Sequence, residues 1–320
     1  MVYNVLLIGA GNVGSRHLQG ILKSDYNINL HIVEINSQSI KISKKRILEV
    51  KIKNKKIFFH KNLNFKKKAF DLSIIATNAY GRLTIIKNML KLKKIKNCII
   101  EKIAFQSLKD YKKSIELFKM NRVNTWVNCA RNYHPIYNLI KKNIYKQKKI
   151  LMHIKGNSWN MASNSIHFIE LFNYIAPRNI NENYSISKNN IVLKSKKIGY
   201  LEIKGVFKIF NDFGDSLILE DSDNYKKYDL QIKIKNLSNK FLINETTNVM
   251  ASNIVKKKLY NFRELKQSNL SKKYFDSLMK NSKILLPTLS ESLDSHKSLF
   301  KLISESMKLK KNNFKNFPIT

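Results

Sequence analysis

A glycine-rich turn near the start of the chain constrains the fold more than any other feature of the sequence. Gly9, Gly11 and Gly14 follow the apolar run VLLI and lie where a stretch with helical apolar spacing begins. In a G-x-G-x-x-G turn between a strand and a helix, the first glycine permits the tight turn, the second lets the backbone approach a diphosphate, and the third lets the helix pack on the strand. The turn therefore predicts a dinucleotide-binding unit, because the N–H groups at such a helix start point at phosphates. The predicted cofactor contacts of this turn are Gly9, Gly11, Asn12, Val13 and Gly14.

A carboxylate closes the second predicted strand. Glu34 follows the apolar run Leu30 to Val33 and comes 20 residues after the last of the three glycines. This is the place of the carboxylate that holds the ribose hydroxyls in dinucleotide-binding folds. A negative charge there repels the additional phosphate of NADP, so NAD is the predicted cofactor. The nearby basic residues Lys41, Lys44 and Arg46 leave NADP possible.

The periodicity of the chain changes once along its 320 residues. Strands and helices alternate up to about residue 125, which predicts an α/β Rossmann domain, a doubly wound parallel sheet with helices on both faces. Farther on, runs such as GYLEIKGVFKIF and DLQIKIK alternate between apolar and polar residues, which is typical of antiparallel strands with one exposed face. We predict a dinucleotide-binding domain over residues 1–125 and an α+β domain with a mainly antiparallel open sheet over residues 126–320. The second domain is expected to supply the substrate pocket and an oligomer interface.

Apolar spacing also places the individual elements. The predicted strands of the first domain are residues 5–8, 30–33, 57–59, 71–77, 97–102 and 123–128. The predicted helices of the whole chain are residues 13–22, 40–50, 83–92, 111–120, 134–145, 163–175 and 285–309. The polar end of the chain, KKNNFKNFPIT, is expected to be frayed.

The charge of the chain is strongly positive, with 60 Lys and Arg against 22 Asp and Glu, a formal net charge of +38. Only seven of the basic residues are arginines, and the lysines are spread along nearly the whole length. Nucleic-acid interfaces concentrate basic residues on one face and favour arginine. We interpret the charge as solvated lysines without a dedicated nucleic-acid partner, and a polyanion-binding module is kept as an alternative. The electrostatic field of the positively charged chain is expected to attract anionic ligands.

Segments for targeting, membrane insertion or metal binding are not evident. No run of about 18 apolar residues occurs, and the N-terminus leads directly into a predicted strand, so a cytoplasmic protein without a membrane partner is expected. Cys98 and Cys129 lie 31 residues apart without a C-x-x-C spacing, which predicts two buried thiols and no metal site.

Four segments together resemble the Gfo/Idh/MocA family of oxidoreductases. They are GAGNVGSRH at the glycine turn, IIATNAYGR from Ile74, IIEK from Ile99, and NSWNMASNSIHFIELF from Asn157. The family segments usually read A-T-P followed by His, E-K-P, and D-x-x-x-H. The positions at which this chain departs from them are Asn78 for Pro, Arg82 for His, Ile103 for Pro and Ser163 for Asp.

The resemblance implies an NAD(P)-dependent oxidoreductase. Such an enzyme transfers a hydride between the nicotinamide and a carbon that bears a hydroxyl or carbonyl on a sugar, a polyol or a nucleotide-linked sugar, while Lys102 and His167 handle the proton. The implied cofactor contacts outside the glycine turn are Glu34, Thr77, Asn78, Glu101 and Lys102, and the implied substrate contacts are Arg131, Ser163 and Glu170. A homo-oligomer and a small sugar-like substrate are the expected partners.

Two of the departures affect the implied chemistry. Ile103 in place of proline is expected to remove a rigid or cis turn that orients Lys102. Ser163 in place of aspartate removes a carboxylate that orients or polarises His167, and Glu170 or Ser163 itself could assume that role. A non-catalytic dinucleotide-binding sensor or assembly protein, whose active site has drifted, is therefore the alternative function.

Each of the three main candidates also has a structural interpretation. His167 lies on a narrow polar stripe of a predicted apolar helix, and the stripe contains no lysine, which favours an active-site histidine over one satisfied by local contacts. Lys102 follows an apolar strand, which favours an amine that reaches a cleft at the strand end. The structural alternative is an exposed, charged side chain. Arg131 can hold a hydroxyl-rich or anionic substrate, or it can pack between the domains.

Overall fold

The computed structural model describes residues 1–144, 148–176, 183–186, 190–222, 228–254, 259–263, 265–307 and 316–319. The chain divides into two compact units. Unit 1 comprises Met1–Asn128 and Leu265–Ser290, and unit 2 comprises Cys129–Glu264 and Glu291–Thr320. The chain thus returns to unit 1 late in the sequence, which differs from the single predicted boundary between residues 125 and 126.

The elements of the described residues are numbered in chain order. The strands are β1 (Val2–Ile8), β2 (Asn27–Val33), β3 (Lys55–His60), β4 (Ala69–Ile75), β5 (Lys94–Ile100), β6 (Asn124–Val127), β7 (Leu151–Asn157), β8 (Asn183–Ile186), β9 (Ile191–Lys194), β10 (Leu201–Phe210), β11 (Ser216–Ser222), β12 (Asp229–Lys235), β13 (Lys240–Asn244), β14 (Val249–Ser252) and β15 (Leu259–Asn261). The α-helices are α1 (Gly14–Leu22), α2 (Ser37–Leu48), α3 (Arg82–Leu92), α4 (Leu108–Met120), α5 (Pro135–Asn143), α6 (Met161–Ile175), α7 (Gln267–Met279) and α8 (Ser292–Ser306). A short 3-10 helix spans Ala130–Tyr133.

Unit 1 contains a six-stranded parallel sheet in the order β3-β2-β1-β4-β5-β6. The carboxyl-terminal halves of β1, β2, β4 and β5 are continuously buried, as expected for strands covered on both faces. The order reverses direction between β1 and β4, which creates a crevice beyond the carboxyl ends of these strands. The predicted Rossmann sheet is confirmed.

Helix α7 is a part of unit 1 that the sequence did not predict. It packs on α1, where a Cβ atom on Gly20 would lie 2.2 Å from the carbonyl oxygen of Ser268. Only a glycine permits this approach. Tyr274 and Phe275 of α7 are buried, so the helix extends the core of the unit.

Unit 2 is built on a sheet that, within the described residues, has the order β15-β14-β13-β12-β7-β11-β10-β8, with β9 paired to β10. Neighbouring strands are antiparallel except β7 and β11, which are parallel. Burial alternates along β12, where Leu230, Ile232 and Ile234 are buried and the residues between them are more exposed. Helices α6 and α8 pack on β10, and α6 also packs on β11. The predicted α+β architecture with a mainly antiparallel sheet is confirmed.

The predicted helix 285–309 is wrong at its start. The segment around Thr288 lies beside β6, because Val127 N–H donates to the Pro287 carbonyl and Leu289 N–H donates to the Thr125 carbonyl, and residues 289–291 form a turn. Residues 308 and 309 lie outside the described residues. The described end of the chain is not frayed, since Ile319 is buried and Leu201 N–H donates to the Pro318 carbonyl. None of the described helices is long and apolar enough to cross a membrane.

Candidate functional site

The glycine turn between β1 and α1 has the geometry that its spacing predicts. Gly9 has φ +86°, and a Cβ atom there would lie 2.9 Å from the backbone nitrogen of Thr77. A Cβ atom on Gly14 would lie 2.0 Å from the Gly9 carbonyl oxygen. Gly11 differs, because the nearest atom to its Cβ position, Ser39 Oγ, is 3.9 Å away. Gly9 and Gly14 are therefore required by the fold, whereas the space beside Gly11 is available to a ligand.

Glu34 lies beside this turn at the end of β2. Its Oε2 accepts a hydrogen bond of 2.7 Å from Ala10 N–H, and its Oε1 accepts one of 2.8 Å from Asn36 N–H. The two bonds fix the carboxylate at the edge of the crevice and leave it further lone pairs as an acceptor. Arg46 of α2 donates to the Asn12 carbonyl and to Ser15 Oγ, so a guanidinium also lies against the turn.

A cavity of about 760 Å³ opens beyond the carboxyl ends of β1, β2 and β4. Of the predicted cofactor contacts, its lining includes Gly9, Gly11, Glu34, Thr77 and Asn78. Thr77 Oγ1 is buried and has no hydrogen-bond partner among the described residues. Helix α1 begins here without a side-chain cap, and its N–H groups form backbone bonds from Ser15 onward, so those that precede Ser15 are the ones available to an anion. An orphaned hydroxyl, an open glycine and an uncapped helix fit the adenosine and diphosphate portions of a dinucleotide.

Arg82, which replaces the family's histidine, connects the loops that follow β4 and β5. Its guanidinium is buried and donates to the carbonyls of Thr77, Glu101, Ile103 and Ala104. The arginine thus fixes the loop after β4 to the loop after β5.

The peptide bond between Lys102 and Ile103 is cis although residue 103 is not a proline. The expectation that loss of the proline removes a cis turn after Lys102 is therefore wrong. Lys102 itself directly follows the buried Glu101 after the end of β5 and is half-buried.

Glu101 belongs to a buried polar network rather than to the cavity lining. Its Oε1 lies 2.6 Å from His17 Nε2 and accepts a bond from Asn128 Nδ2. Burial favours the neutral acid, but the hydrogen bond and charge of His17, with the bond from Asn128, outweigh burial and hold the pKa of Glu101 below its ordinary value. The predicted cofactor contact is thus a carboxylate whose Oε1 contacts α1 and the residue that follows β6.

The network continues into α7, which sequence reasoning missed. His17 Nδ1 lies 2.9 Å from Ser271 Oγ, and Tyr274 Oη donates to Asn128 Oδ1. The available sequence signal was His17 itself, a histidine inside the apolar pattern of α1.

In unit 2, α6 carries three of the predicted site residues. Ser163 is buried, and its N–H and Oγ–H both donate to the carboxylate of Glu202 on β10. His167 follows one helical turn later and is half-buried. A carboxylate that the sequence did not identify therefore contacts Ser163, the residue that stands where the family segment has an aspartate.

Glu170 lies between α6 and α8. It accepts a 2.5 Å hydrogen bond from Ser292 Oγ at the start of α8. Burial raises its pKa to about 7, although hydrogen bonds from Ser292 and Ser295 partly oppose the shift. Its contacts connect two helices of unit 2.

Arg131 of the 3-10 helix is paired within unit 2. It donates to Glu245, which also accepts a 2.8 Å bond from Tyr137 Oη, and its guanidinium lies 4.0 Å from the ring centroid of Phe168 on α6. Burial disfavours the charge of Glu245, but Arg131 outweighs burial and keeps the pKa of Glu245 below its ordinary value. The described residues contain no group of three or more His, Cys, Asp or Glu side chains that could hold a metal ion.

The arrangement of a six-stranded dinucleotide-type sheet and an open, mainly antiparallel sheet is that of the Gfo/Idh/MocA-type dehydrogenases, and the resemblance is confirmed at the level of the fold. UDP-N-acetylglucosamine 3-dehydrogenase GnnA from Acidithiobacillus ferrooxidans superposes with a TM-score of 0.72 at 9% identity, over 94% of this chain and 97% of GnnA. GenD2 from gentamicin A biosynthesis, in complex with NAD, gives a TM-score of 0.70 at 12% identity, over 95% of this chain and 94% of GenD2.

A super-repressor mutant of Gal80p from Saccharomyces cerevisiae has the same fold, with a TM-score of 0.71 at 14% identity over 98% of this chain and 99% of Gal80p. No family model matches the sequence, and no curated protein matches it significantly. At these identities the solved structures define the fold of the chain.

Proposed function

We propose that this protein is a nicotinamide-dependent oxidoreductase that uses NAD(H) and acts on a CH–OH or carbonyl carbon of a sugar, a polyol or a nucleotide-linked sugar. The observation that carries the proposal is the cavity beside the glycine turn, with open space at Gly11, a fixed carboxylate at Glu34 and a buried hydroxyl without a partner at Thr77. The likeness to GnnA and to GenD2 with NAD supports the same class of activity.

The residues of unit 1 bind and orient in this proposal. The N–H groups at the start of α1 and the backbone of Gly11 hold the diphosphate, where the helix dipole favours negative charge. Glu34 accepts from the ribose hydroxyls, and Thr77 Oγ1 donates to the bound ligand. When bound, the nicotinamide supplies the hydride acceptor or donor. Glu34 disfavours the additional phosphate of NADP, whereas Arg46 lies close enough to the turn to moderate that preference.

Hydride removal from an alcohol carbon also requires the hydroxyl proton to leave. The two candidates for its acceptor are the amine of Lys102 in unit 1 and the imidazole of His167 in unit 2. An alanine at the acting group is expected to lower kcat by about 10²-fold or more. Lys102→Ala and His167→Ala are each compared with wild type. The residue whose replacement also removes the dependence of kcat on pH is the acid–base residue.

The substrate contacts in this proposal are Ser163, Glu170 and Arg131. Arg131 is neutralised by Glu245, which favours a hydroxyl-rich substrate over an anionic one at this residue. The proposal includes a homo-oligomer that acts in the cytoplasm, with the outer face of the unit 2 sheet as its interface, where Phe210 and Leu242 are exposed. Light scattering on the purified protein measures the oligomeric state.

The test of the proposal is calorimetry with NAD, NADH, NADP and NADPH, followed by a turnover assay with a panel of sugars and nucleotide-linked sugars. Binding of NAD(H) with reduction or oxidation of at least one member of the panel is the expected result. The Gly11→Val variant is the control, because it fills the space beside the turn and its Cβ atom would have no neighbour closer than 3.9 Å. Absence of binding by any of the four nucleotides to the folded protein would overturn the proposal.

A second candidate function is a non-catalytic dinucleotide-binding regulator. The likeness to Gal80p, which was solved as a super-repressor, favours it. Binding of NAD(H) without turnover across the whole panel would support this function over the enzymatic one.

A further inference from the structure

The carboxylate of Glu202 lies against the helix that carries His167. Glu202 belongs to β10, and it accepts hydrogen bonds from both the N–H, at 3.3 Å, and the Oγ–H of Ser163. The two residues are 39 positions apart in sequence, so no local pattern reveals the contact. Packing of α6 on β10 brings them together.

The geometry of α6 relates this carboxylate to His167. Residues four positions apart in a helix lie on the same face, with Cβ atoms about 5–6 Å apart. Ser163 and His167 have this spacing, and both are part of the single helix Met161–Ile175. The Glu202 carboxylate therefore lies on the face of α6 that presents the imidazole.

Glu202 also has an evident structural contribution. The residue before α6, Asn160, makes no side-chain capping bond, and Glu202 satisfies the N–H of Ser163 in the first turn. However, a second carboxylate already serves this helix start, because Asp221 accepts from Ser158 N–H and from the backbone at Trp159 and Met161. Capping alone does not account for the additional bond from the Ser163 hydroxyl.

We propose that Glu202 is a positioning residue for His167, acting from β10 through its contact with Ser163 on the same face of α6 and taking the place of a carboxylate that the sequence of α6 lacks. Its negative charge stabilises the protonated form of the imidazole. The catalytic consequence rests on the proposed oxidoreductase function, whereas the coupling between Glu202 and His167 does not.

Other charged groups on α6 and on the elements packed against it have partners or effects of their own. Arg131 is paired with Glu245, Glu170 is bonded to Ser292, and the amine of Lys141 lies 3.5 Å from the ring centroid of Tyr174. Further charged or titratable groups near α6 include Lys204, whose charge acts on Asp221, and Glu291, whose charge acts on Glu170. His296 contacts the backbone of α8 at Ser292.

The coupling is tested by NMR titration of protein labelled at the histidine rings, in wild type, Glu202→Gln and Glu220→Gln, with His167→Asn to assign the signal. Loss of a neighbouring negative charge is expected to lower the pKa of His167 by about one unit in Glu202→Gln. The matched control is Glu220 on β11, which lies 2.9 Å from His153. Glu220→Gln should leave the titration of His167 unchanged.

Glutamine keeps an oxygen that can accept from Ser163 N–H, so Glu202→Gln is expected to fold with α6 intact. If that variant fails to fold, Ser163→Ala provides a second test, because it removes the hydroxyl that holds the Glu202 carboxylate against α6. An unchanged pKa of His167 in a folded Glu202→Gln or Ser163→Ala protein would overturn the proposal.

Activity provides the second readout. If the enzymatic proposal holds, Glu202→Gln lowers kcat about tenfold with little change in KM, moves the pH profile in the direction of the NMR shift, and is partly rescued by Glu202→Asp. A protein without turnover that retains the NMR coupling would contradict the proposed function while supporting the role of Glu202. Turnover with an unchanged His167 pKa in Glu202→Gln would support the proposed function and contradict the role of Glu202.

Discussion

The glycines of the first turn have separable roles, because different atoms surround them. A Cβ atom on Gly14 would lie 2.0 Å from the Gly9 carbonyl oxygen, whereas one on Gly11 would have nothing closer than 3.9 Å. We predict that Gly14→Ala lowers the free energy of unfolding by about 3 kcal/mol through overpacking. Gly11→Val should leave stability nearly unchanged and weaken NAD binding at least about tenfold, because its side chain occupies the place of the diphosphate.

Chemical denaturation and calorimetry on the two variants check this pair of expectations. A Gly11→Val protein that binds NAD like wild type would show that the diphosphate does not approach this turn. A fully stable Gly14→Ala protein would contradict the packing of α1 on β1.

Glu101 is expected to contribute to stability rather than to cofactor contact. Replacing it by glutamine removes the charge that His17 and Asn128 contact, which should cost about 1–3 kcal/mol at pH 7. The pKa of Glu101 is lowered in the folded protein. Its contribution to stability is therefore present when the pH is above the ordinary carboxyl pKa, and it is lost as the pH falls through the lowered pKa. The stability difference between wild type and Glu101→Gln should therefore shrink on acidification.

Urea denaturation at neutral and at acid pH measures this difference. The control is Glu116→Gln, since Glu116 forms an exposed i,i+3 pair with Lys113 on α4 and is expected to contribute little. A Glu101→Gln variant with wild-type stability at pH 7 but with weak NAD binding would instead support the cofactor contact implied by the family resemblance.

At the scale of elements, the contact between α6 and α8 is expected to depend on pH through Glu170. Its pKa is raised to about 7 by burial, so the folded protein favours the neutral acid. The stability gained from binding a proton at Glu170 is fully present when the pH is below the ordinary carboxyl pKa, and it is lost as the pH rises through about 7. Glutamine resembles the neutral acid, so Glu170→Gln should be more stable than wild type at pH 8, by about 1–3 kcal/mol, and close to it at pH 5.

Denaturation of wild type and Glu170→Gln across this pH range gives the comparison. Glu305→Gln on the exposed side of α8 serves as the control and should show no such trend. A Glu170→Gln variant that is less stable than wild type at pH 8 would show that the ionised carboxylate is favoured in the folded protein.

Local periodicity was sufficient for most elements of unit 1 but not for the way the chain completes it. Four strands of the parallel sheet have continuously buried carboxyl-terminal halves, and all six were predicted with their ends shifted by a few residues. Helix α7 was missed although Leu270, Tyr274 and Phe275 have helical spacing, because its partner α1 is about 250 residues earlier in the chain. The extended segment before α8 was read as helix for the same reason, since its pairing with β6 is a long-range contact.

The candidate site shows the same limit. The glycine turn and Glu34 were identified because elements contiguous in sequence define them, whereas Thr77 was implied by the family resemblance of its segment; all of them line the cavity. The network of His17 with Glu101 and the contact of Glu202 with Ser163 join residues 84 and 39 positions apart, so only the fold reveals them. The sequence identified Ser163 as a position at which the family's carboxylate is missing, and the structure shows that the carboxylate of Glu202 contacts this residue.

At the scale of the whole molecule, the net charge of +38 is expected to oppose folding through self-repulsion. Added salt shortens the screening length from about 10 Å at 0.1 M to about 3 Å at 1 M and so reduces this repulsion. We predict that the melting temperature rises by about 2–4 °C or more over this range, which corresponds to roughly 1 kcal/mol for domains of this size.

The same field attracts anionic ligands, so salt should act in the opposite direction on binding. The affinity for NADH is expected to fall severalfold as the melting temperature rises, because screening weakens the attraction between the lysines and the diphosphate. Sodium chloride is the appropriate salt, since sulfate also strengthens apolar burial. Melting curves and NADH titrations on the same samples separate the two effects. If salt lowers the melting temperature, the positive charges are arranged in stabilising pairs rather than in net repulsion, and the interpretation of the lysines as a dispersed, solvated set fails.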